Sequence, residues 1–232
     1  MSSILWPLDQ IPDIVLGDLD PEFVKILASE MAWEYDRLYD FLALHSDGLP
    51  DPFLNHEFAC LRGKCATSAM HRACQRHGVP YEFRRLECNG QRKILSRVGR
   101  LVLIQEPMLT LTDHPRASDY KVQLAESHGI LRQIEFDLGD ILGRILDWDD
   151  CILAVVLHGA TGPWFTKDHK KLGGLMLGIP DASYNHWVRR FDLMRLALTG
   201  DNWEADEPAE APVQQDRVTV TLKNKNQAAG EE

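Results

Sequence analysis

Among the cations that flank the dipeptide Asn89-Gly90 are Arg84, Lys93, Arg97 and Arg100. Guanidinium and ammonium groups can neutralise phosphates without any catalytic constellation, which makes these four the candidate contacts for nucleic acid or another polyanion. They belong to a segment of unusual charge. Residues 61–100 carry ten Lys and Arg against two acids, Glu82 and Glu87, whereas residues 1–60 carry twelve acids and two bases. Either the basic segment meets an anionic partner, nucleic acid or an acidic protein surface, or the acidic N-terminal helices neutralise it inside the fold.

Other residue types raise other chemistry. His56, Cys60, Cys65, His71, Cys74 and Cys88 are zinc-ligand types, and His56 and Cys60 stand one helical turn apart. They form no Cys-x-x-Cys knuckle, and Cys65 falls on an apolar helix face, so no metal and no cofactor is expected. A cysteine nucleophile needs a positioned base, which spacing does not locate. His158 closes the apolar run "CILAVVLHG". A hydrogen-bonded structural histidine is its expected role, with a functional group presented at a strand end as the alternative. Catalytic residues stay unassigned, because no converging set of acids, bases and nucleophiles can be assembled by spacing.

The elements that position these residues are marked by local signals. Asp20 as N-cap, Pro21 in the first turn and Gly48 as a stop delimit one helix, with Phe23, Leu27, Met31, Leu38 and Leu42 as its buried stripe. A second helix is expected from about Phe53 to His77, stopped by Gly78, with a possible kink at Gly63. "YEFRRLEC", Asn89-Gly90 and "QRKILSRV" then read as a hairpin with a two-residue turn. That turn sets Glu87 opposite Arg92 and Glu82 opposite Arg97, with Tyr81, Phe83, Ile94 and Val98 on the buried face. Leu86 and Leu95 interrupt the basic face, which leaves room for a covering helix there.

"LVLIQ" reads as a strand covered on both faces, residues 107–116 as a loop, and "ASDYKVQLAESHG" as a short helix. A half-buried strand follows at Ile134, Phe136 and Leu138, then the apolar strand at 151–159. A last helix follows Asp181, with Tyr184, Trp187, Val188, Phe191, Met194 and Leu198 as one stripe and Gly200 as its end. The expectation is an α+β fold: a mixed sheet of about five strands, an N-terminal helical pair over about 20–77, and a C-terminal helix packed on the sheet. Residues 1–202 form one domain, its sheet-containing part spanning about 80–200. Residues 203–232 form an acidic linker and flexible tail, in which "RVTVTLK" alternates like a strand.

Three partial resemblances bear on function. The order helix, three strands, helix, strand resembles the core of restriction-endonuclease-like nucleases. That resemblance implies an Asp near the second strand and a Glu-x-Lys on the third as metal holders. Neither is present, and Glu57, Glu87 and Glu106 are the carboxylates left for such a site. "VVLHGATGPWF" resembles the opening of a short-chain dehydrogenase, but Phe165 stands where the further glycine is needed and Pro163 intervenes. Gln133 to Leu138 resembles the short peptides that dock on bacterial sliding clamps, although its anchors are also those of any amphipathic strand.

The chain has 232 residues, 44% hydrophobic and 26% charged, with a net charge of −10, which excludes wholesale disorder and collagen-like or mini-protein classes. No apolar run spans a bilayer and the N-terminus lacks a signal-peptide pattern. Five cysteines, an odd number, fit reduced thiols, so a cytoplasmic protein with no membrane partner is expected. The expected function is a non-catalytic binding or regulatory protein, an accessory factor of nucleic-acid metabolism that contacts a polyanion through the basic hairpin. The alternatives are a hydrolase or nuclease of unrecognised type and an obligate subunit of a protein assembly.

Overall fold

The computed structural model describes residues 9–45, 48–85, 92–108, 117–126, 151–181 and 183–199. Asp20 accepts the amide N–H of Glu22 at 2.8 Å, so the expected cap is made, and Pro21 opens the long helix α2. A short helix that the sequence did not signal, α1 (Ile11–Asp18), precedes α2 (Pro21–His45). Helix α3 (Asp51–His77) ends at Gly78, whose φ of 72° lies in the left-handed region that closes a helix. It runs through Gly63 without a break.

Three strands follow: β1 (Tyr81–Arg85), β2 (Arg92–Val98) and β3 (Leu101–Pro107). After helix α4 (Asp119–Glu126) come β4 (Ile152–Ala160), β5 (Leu172–Pro180) and β6 (Trp187–Asp192), then helix α5 (Leu193–Thr199). The strands lie in chain order in one six-stranded sheet. Every neighbouring pair is antiparallel except β3 and β4. The fold is thus α+β with a mixed sheet, as expected, and with one strand more than about five. The expected strand at 134–138 and the tail from 203 lie outside the described residues.

Two layers of apolar packing hold the sheet. On one face Ile94, Leu101, Leu103, Ala154, Val156, Leu175 and Leu177 meet α1, α2, α3 and α5. On the other, Leu95, Val102, Ile104, Leu153 and Val155 meet Leu124 and Ala125 of α4. A third cluster, with Tyr35, Phe58 and Phe165, joins α2 and α3 to the β4–β5 connection. No helix among the described residues is long and apolar enough to cross a membrane.

Three local expectations are corrected. The stretch after Asp181 is a turn, strand β6 and then only seven helical residues. Asp181 does cap, but it accepts the amides of Asn185 (2.8 Å) and His186 (3.2 Å) around a turn in which Tyr184 has φ 55°. Asp192 then accepts the Arg195 amide at 3.0 Å to start α5. The β1–β2 register is offset by two residues from the one the Asn89-Gly90 turn implies: Glu82 faces Leu95 and Arg84 faces Lys93. Glu87 and the turn lie outside the described residues.

A shift of two preserves both faces, so the hydrophobic pattern could not distinguish the two registers. Anchors at the start of β1 decide instead: the Pro80 carbonyl accepts the Arg97 amide at 2.9 Å and the Tyr81 hydroxyl lies 2.8 Å from His71 Nε2. Two exposed charge pairs, each worth under about 1 kcal/mol, are weaker than that. Phe83, expected in the core, is 46% exposed on this edge strand, where it packs edge-on against His71 and Tyr81.

Candidate functional site

The fold distributes the four cations of the hairpin region instead of gathering them. Arg84 pairs with Glu82, two residues back on the same face of β1. Lys93 Nζ lies 3.2 Å from Glu106 Oε1. Arg97 Nε donates to the Gly99 carbonyl at 3.0 Å. Arg100 grips Asp18 with Nε at 2.7 Å and Nη2 at 2.9 Å, and its backbone amide adds a third bond at 2.8 Å. That grip holds the Asp18 carboxyl below its usual range. Arg84 and Lys93 are cross-strand partners, while Arg100 sits at the other end of the hairpin beside α1. Between Lys93 and Arg97 on the same face, Leu95 is buried under α4.

Much of the charge asymmetry is resolved between segments. Arg72 reaches Glu30 (2.6 Å) and Glu34 (2.7 Å), Arg76 reaches Glu30 (2.5 Å), and His77 Nε2 lies 2.9 Å from Asp20. Bases of residues 61–100 thus meet acids of residues 1–60. The cations that find no carboxylate among the described residues are instructive, and three of them are Arg62, Lys64 and Arg92.

At the carboxyl end of β3 the sheet and α3 enclose a cleft of about 340 Å³, lined by Lys64 and Thr67 of α3, Arg92 and Lys93 of β2, and Gln105 and Glu106 of β3. The Gly63 carbonyl of α3 accepts Gln105 Nε2 of β3 at 3.0 Å. Lys64 and Arg92 stand on the α3 side of this cleft, while Lys93 and Glu106, following the strand alternation as Leu95 and Ile104 do, turn their side chains to the α4 side. That carboxylate is already engaged, since Glu106 is held by Lys93 at 3.2 Å and, on its other oxygen, by Lys121 of α4 at 3.3 Å. Burial lowers the pKa of Lys121, against the opposing pull of Glu106.

Behind the cleft runs a buried hydrogen-bond chain that the sequence did not reveal, apart from His158 itself. Tyr35 Oη lies 2.7 Å from His158 Nδ1, His158 Nε2 lies 2.8 Å from Gln105 Oε1, and Gln105 Nε2 lies 3.0 Å from both the Gly63 carbonyl and Thr67 Oγ1. Its polarity is determined from one end. A carbonyl only accepts, so Gln105 turns its amide nitrogen to Gly63 and its oxygen to His158. His158 Nε2 must then carry the proton, and Nδ1 accepts the Tyr35 hydroxyl. The imidazole is neutral, its pKa pushed down to about 3 by burial and then by the charges of Arg62 and Lys93. The Tyr35 phenol is pushed up by burial. With both ring nitrogens bonded and no exposure, His158 is structural and offers no base to a ligand.

The order α3, β1, β2, β3, α4, β4 is the one that resembles nuclease cores, but Lys93 and Lys121 flank Glu106, so a divalent cation there would meet two ammonium groups. Glu57 is exposed on α3, and Glu87 lies outside the described residues. The glycine-containing run does not open a dinucleotide fold, since β4 returns as antiparallel β5 rather than as a helix. At Gly162 a Cβ would fall 2.7 Å from the His169 ring, which explains that glycine by packing. No group of three His, Cys, Asp or Glu among the described residues is placed to hold a metal ion. His71 is bonded to Tyr81, Cys74 is buried, and Cys60 Sγ lies 3.6 Å from His56 Nε2 on the exposed side of α3. The segment 133–138 lies outside the described residues. No family model, curated protein or solved structure matches this chain, so a functional reading must be built from the cleft and its charges.

Proposed function

We propose that the protein is a non-catalytic, cytoplasmic binding or regulatory protein, an accessory factor that takes the phosphates of nucleic acid or a similar polyanion at the cleft beside β3. The observation that carries this reading is that Lys64 and Arg92, neither of which meets a carboxylate among the described residues, line one concave surface, while the nearby Glu106 is already held by two lysines. An exposed excess of cations binds phosphates without acid or base chemistry. Of the four cations first singled out, Lys93 lines this cleft, and Lys64 and Arg92 replace the other three as the leading contacts. The four described cysteines are free thiols, in keeping with a reducing compartment.

The test is fluorescence anisotropy with labelled single-stranded DNA, duplex DNA and RNA across a salt series. Each phosphate neutralised contributes roughly −0.9 to the log–log slope on duplex DNA and roughly −0.7 on a single strand. Lys64→Glu with Arg92→Glu should abolish binding and leave the circular dichroism unchanged, since both side chains are exposed. Absence of binding to all three probes at low salt, or binding indifferent to the double reversal, would end this reading. The assembly-subunit reading would then gain, because Phe41, Leu44, Phe53 and Trp164 are large apolar side chains left exposed.

A further inference from the structure

Five Asp, Glu, Lys or Arg side chains are buried among the described residues: Glu30, Glu34, Glu106, Arg62 and Lys170. The three acids are all paired, Glu30 and Glu34 with Arg37, Arg72 and Arg76, and Glu106 with Lys93 and Lys121. The two bases are not. Neither Arg62, 8% exposed, nor Lys170, 6% exposed, meets a carboxylate among the described residues. Burying an uncompensated charge is among the most unfavourable things a fold can do.

The two bases share one neighbourhood. Arg62 follows Phe58 by one turn on the inner face of α3. Lys170 Nζ lies 5.4 Å from the centre of the Phe58 ring and donates to the carbonyls of Gly162 (3.2 Å) and Pro163 (3.3 Å). Those two bonds leave an ammonium proton over. Arg62 Nε is buried and has no acceptor among the described residues. Tyr35, 5.6 Å from Phe58 ring to ring, supplies no counter-charge, since it keeps its proton and donates a hydrogen bond to neutral His158. Burial and then the Arg62 charge lower the pKa of Lys170.

We propose that Arg62 and Lys170 are the two arms of a site for a small oxyanion of the phosphate class, at the end of the β3–β4 pair that His158 marks. The planar guanidinium fork suits two oxygens of one anion, and the ammonium a third. These are the only parallel strands in the described sheet, and the carboxyl ends of parallel strands are where ligands of such sheets gather. The site shares no cation with the Lys64, Arg92 and Lys93 cleft, so it stands whether or not that cleft binds a polyanion.

Thermal unfolding in sodium phosphate against sodium chloride of equal ionic strength tests it. Phosphate at a hundred times its dissociation constant should raise the Tm of the wild-type protein by several degrees. Arg62→Met and Lys170→Met should each remove that increment; in chloride Arg62→Met should unfold no earlier than wild type, because a buried charge that meets no carboxylate has been replaced by an apolar chain of similar length, whereas Lys170→Met also gives up its bonds to the Gly162 and Pro163 carbonyls. Lys64→Glu with Arg92→Glu should keep the increment. If either methionine variant fails to fold, a phosphate titration of the wild type followed by calorimetry, with Arg62→Lys as its weakened counterpart, gives the same decision. Adenosine monophosphate in place of phosphate distinguishes a free ion, for which the nucleotide gives no increment, from a phosphate carried on a larger ligand, for which it does. Equal Tm in phosphate and chloride, an increment that survives both methionine variants, or an increment lost in the Lys64 and Arg92 variant would each overturn the proposal.

Discussion

His158 is fully buried and neutral, with its pKa displaced from the ordinary 6.5 to about 3, and this has a measurable cost in acid. The unfolded chain protonates its histidines below about pH 6.5, whereas the folded protein leaves His158 unprotonated until about pH 3. The unfolded state therefore binds more protons across that window, and the stability present above pH 6.5 is lost as pH falls through it, at about 1.4 kcal/mol per pH unit. Between about pH 7 and about pH 5 this one residue should remove about 2 kcal/mol, a sizeable share of a typical domain stability of roughly 5–15 kcal/mol. The comparison is His158→Gln, whose amide can accept from Tyr35 and donate to Gln105 but does not titrate. Urea unfolding at several pH values gives both curves, and the other titrating groups cancel in their difference. Wild type should lose stability more steeply than the variant by that amount, and NMR of the wild-type imidazole should show no titration down to about pH 4.5. Parallel pH curves, or an imidazole that titrates near its ordinary value, would refute both the tautomer assignment and the claim that burial governs this ring.

Further outcomes follow from the packing. A Cβ on Gly178 would stand 2.5 Å from Cζ3 of Trp187, so Gly178→Ala should cost about 1–3 kcal/mol in denaturant unfolding, and much of that should vanish in a Trp187→Leu background. Of the four described cysteines Cys60 is the exposed one, and brief iodoacetamide treatment of native protein should modify it well before Cys74 and Cys151, as peptide mass spectrometry would reveal. Removal of residues 204–232 should shift the Tm by no more than a few degrees. Insoluble protein on that truncation would mean that residues 217–223 complete the fold.

The legibility of this fold in its sequence varied with how local each determinant is. Asp20, Pro21 and Gly78 act within one turn of their helices, and α2 and α3 were read with nearly correct ends. The apolar runs of β3 and β4 are unambiguous because both faces of those strands are buried. β5 was missed because Gly173 and Gly178 look like loop residues until their neighbours are known: the Thr161 backbone against one, the Trp187 ring against the other. β6 was hidden by a stripe from Tyr184 to Leu198 that fits a helical period, although Phe191 and Trp187 face β5 as strand residues.

At the site, the charge of Lys93 is visible in the sequence, but its partner Glu106 comes from the next strand and Lys121 from α4, packed on the same face of the sheet. Arg62 looks in sequence like any helical arginine; only the packing of α3 on α2 and the β4–β5 connection makes it a buried cation that meets no carboxylate among the described residues. The sequence leaves open whether the basic segment meets a partner or the acidic segment, and which acid meets which base depends on how α2 and α3 align.

The single parallel seam also bears on how the chain reaches this structure. β1 to β3 and β4 to β6 are each a run of antiparallel neighbours joined by short connections, so each can form from local contacts. Joining them means bringing together ends separated by the whole stretch from Met108 to Cys151, with the loop-closure entropy that implies. The buried bond between Gln105 and His158 crosses that seam, and Tyr35 of α2 closes over it. The slow event in folding should accordingly be the docking of two preformed halves, and cutting the chain between them should yield fragments that reassemble at a rate set by their concentration.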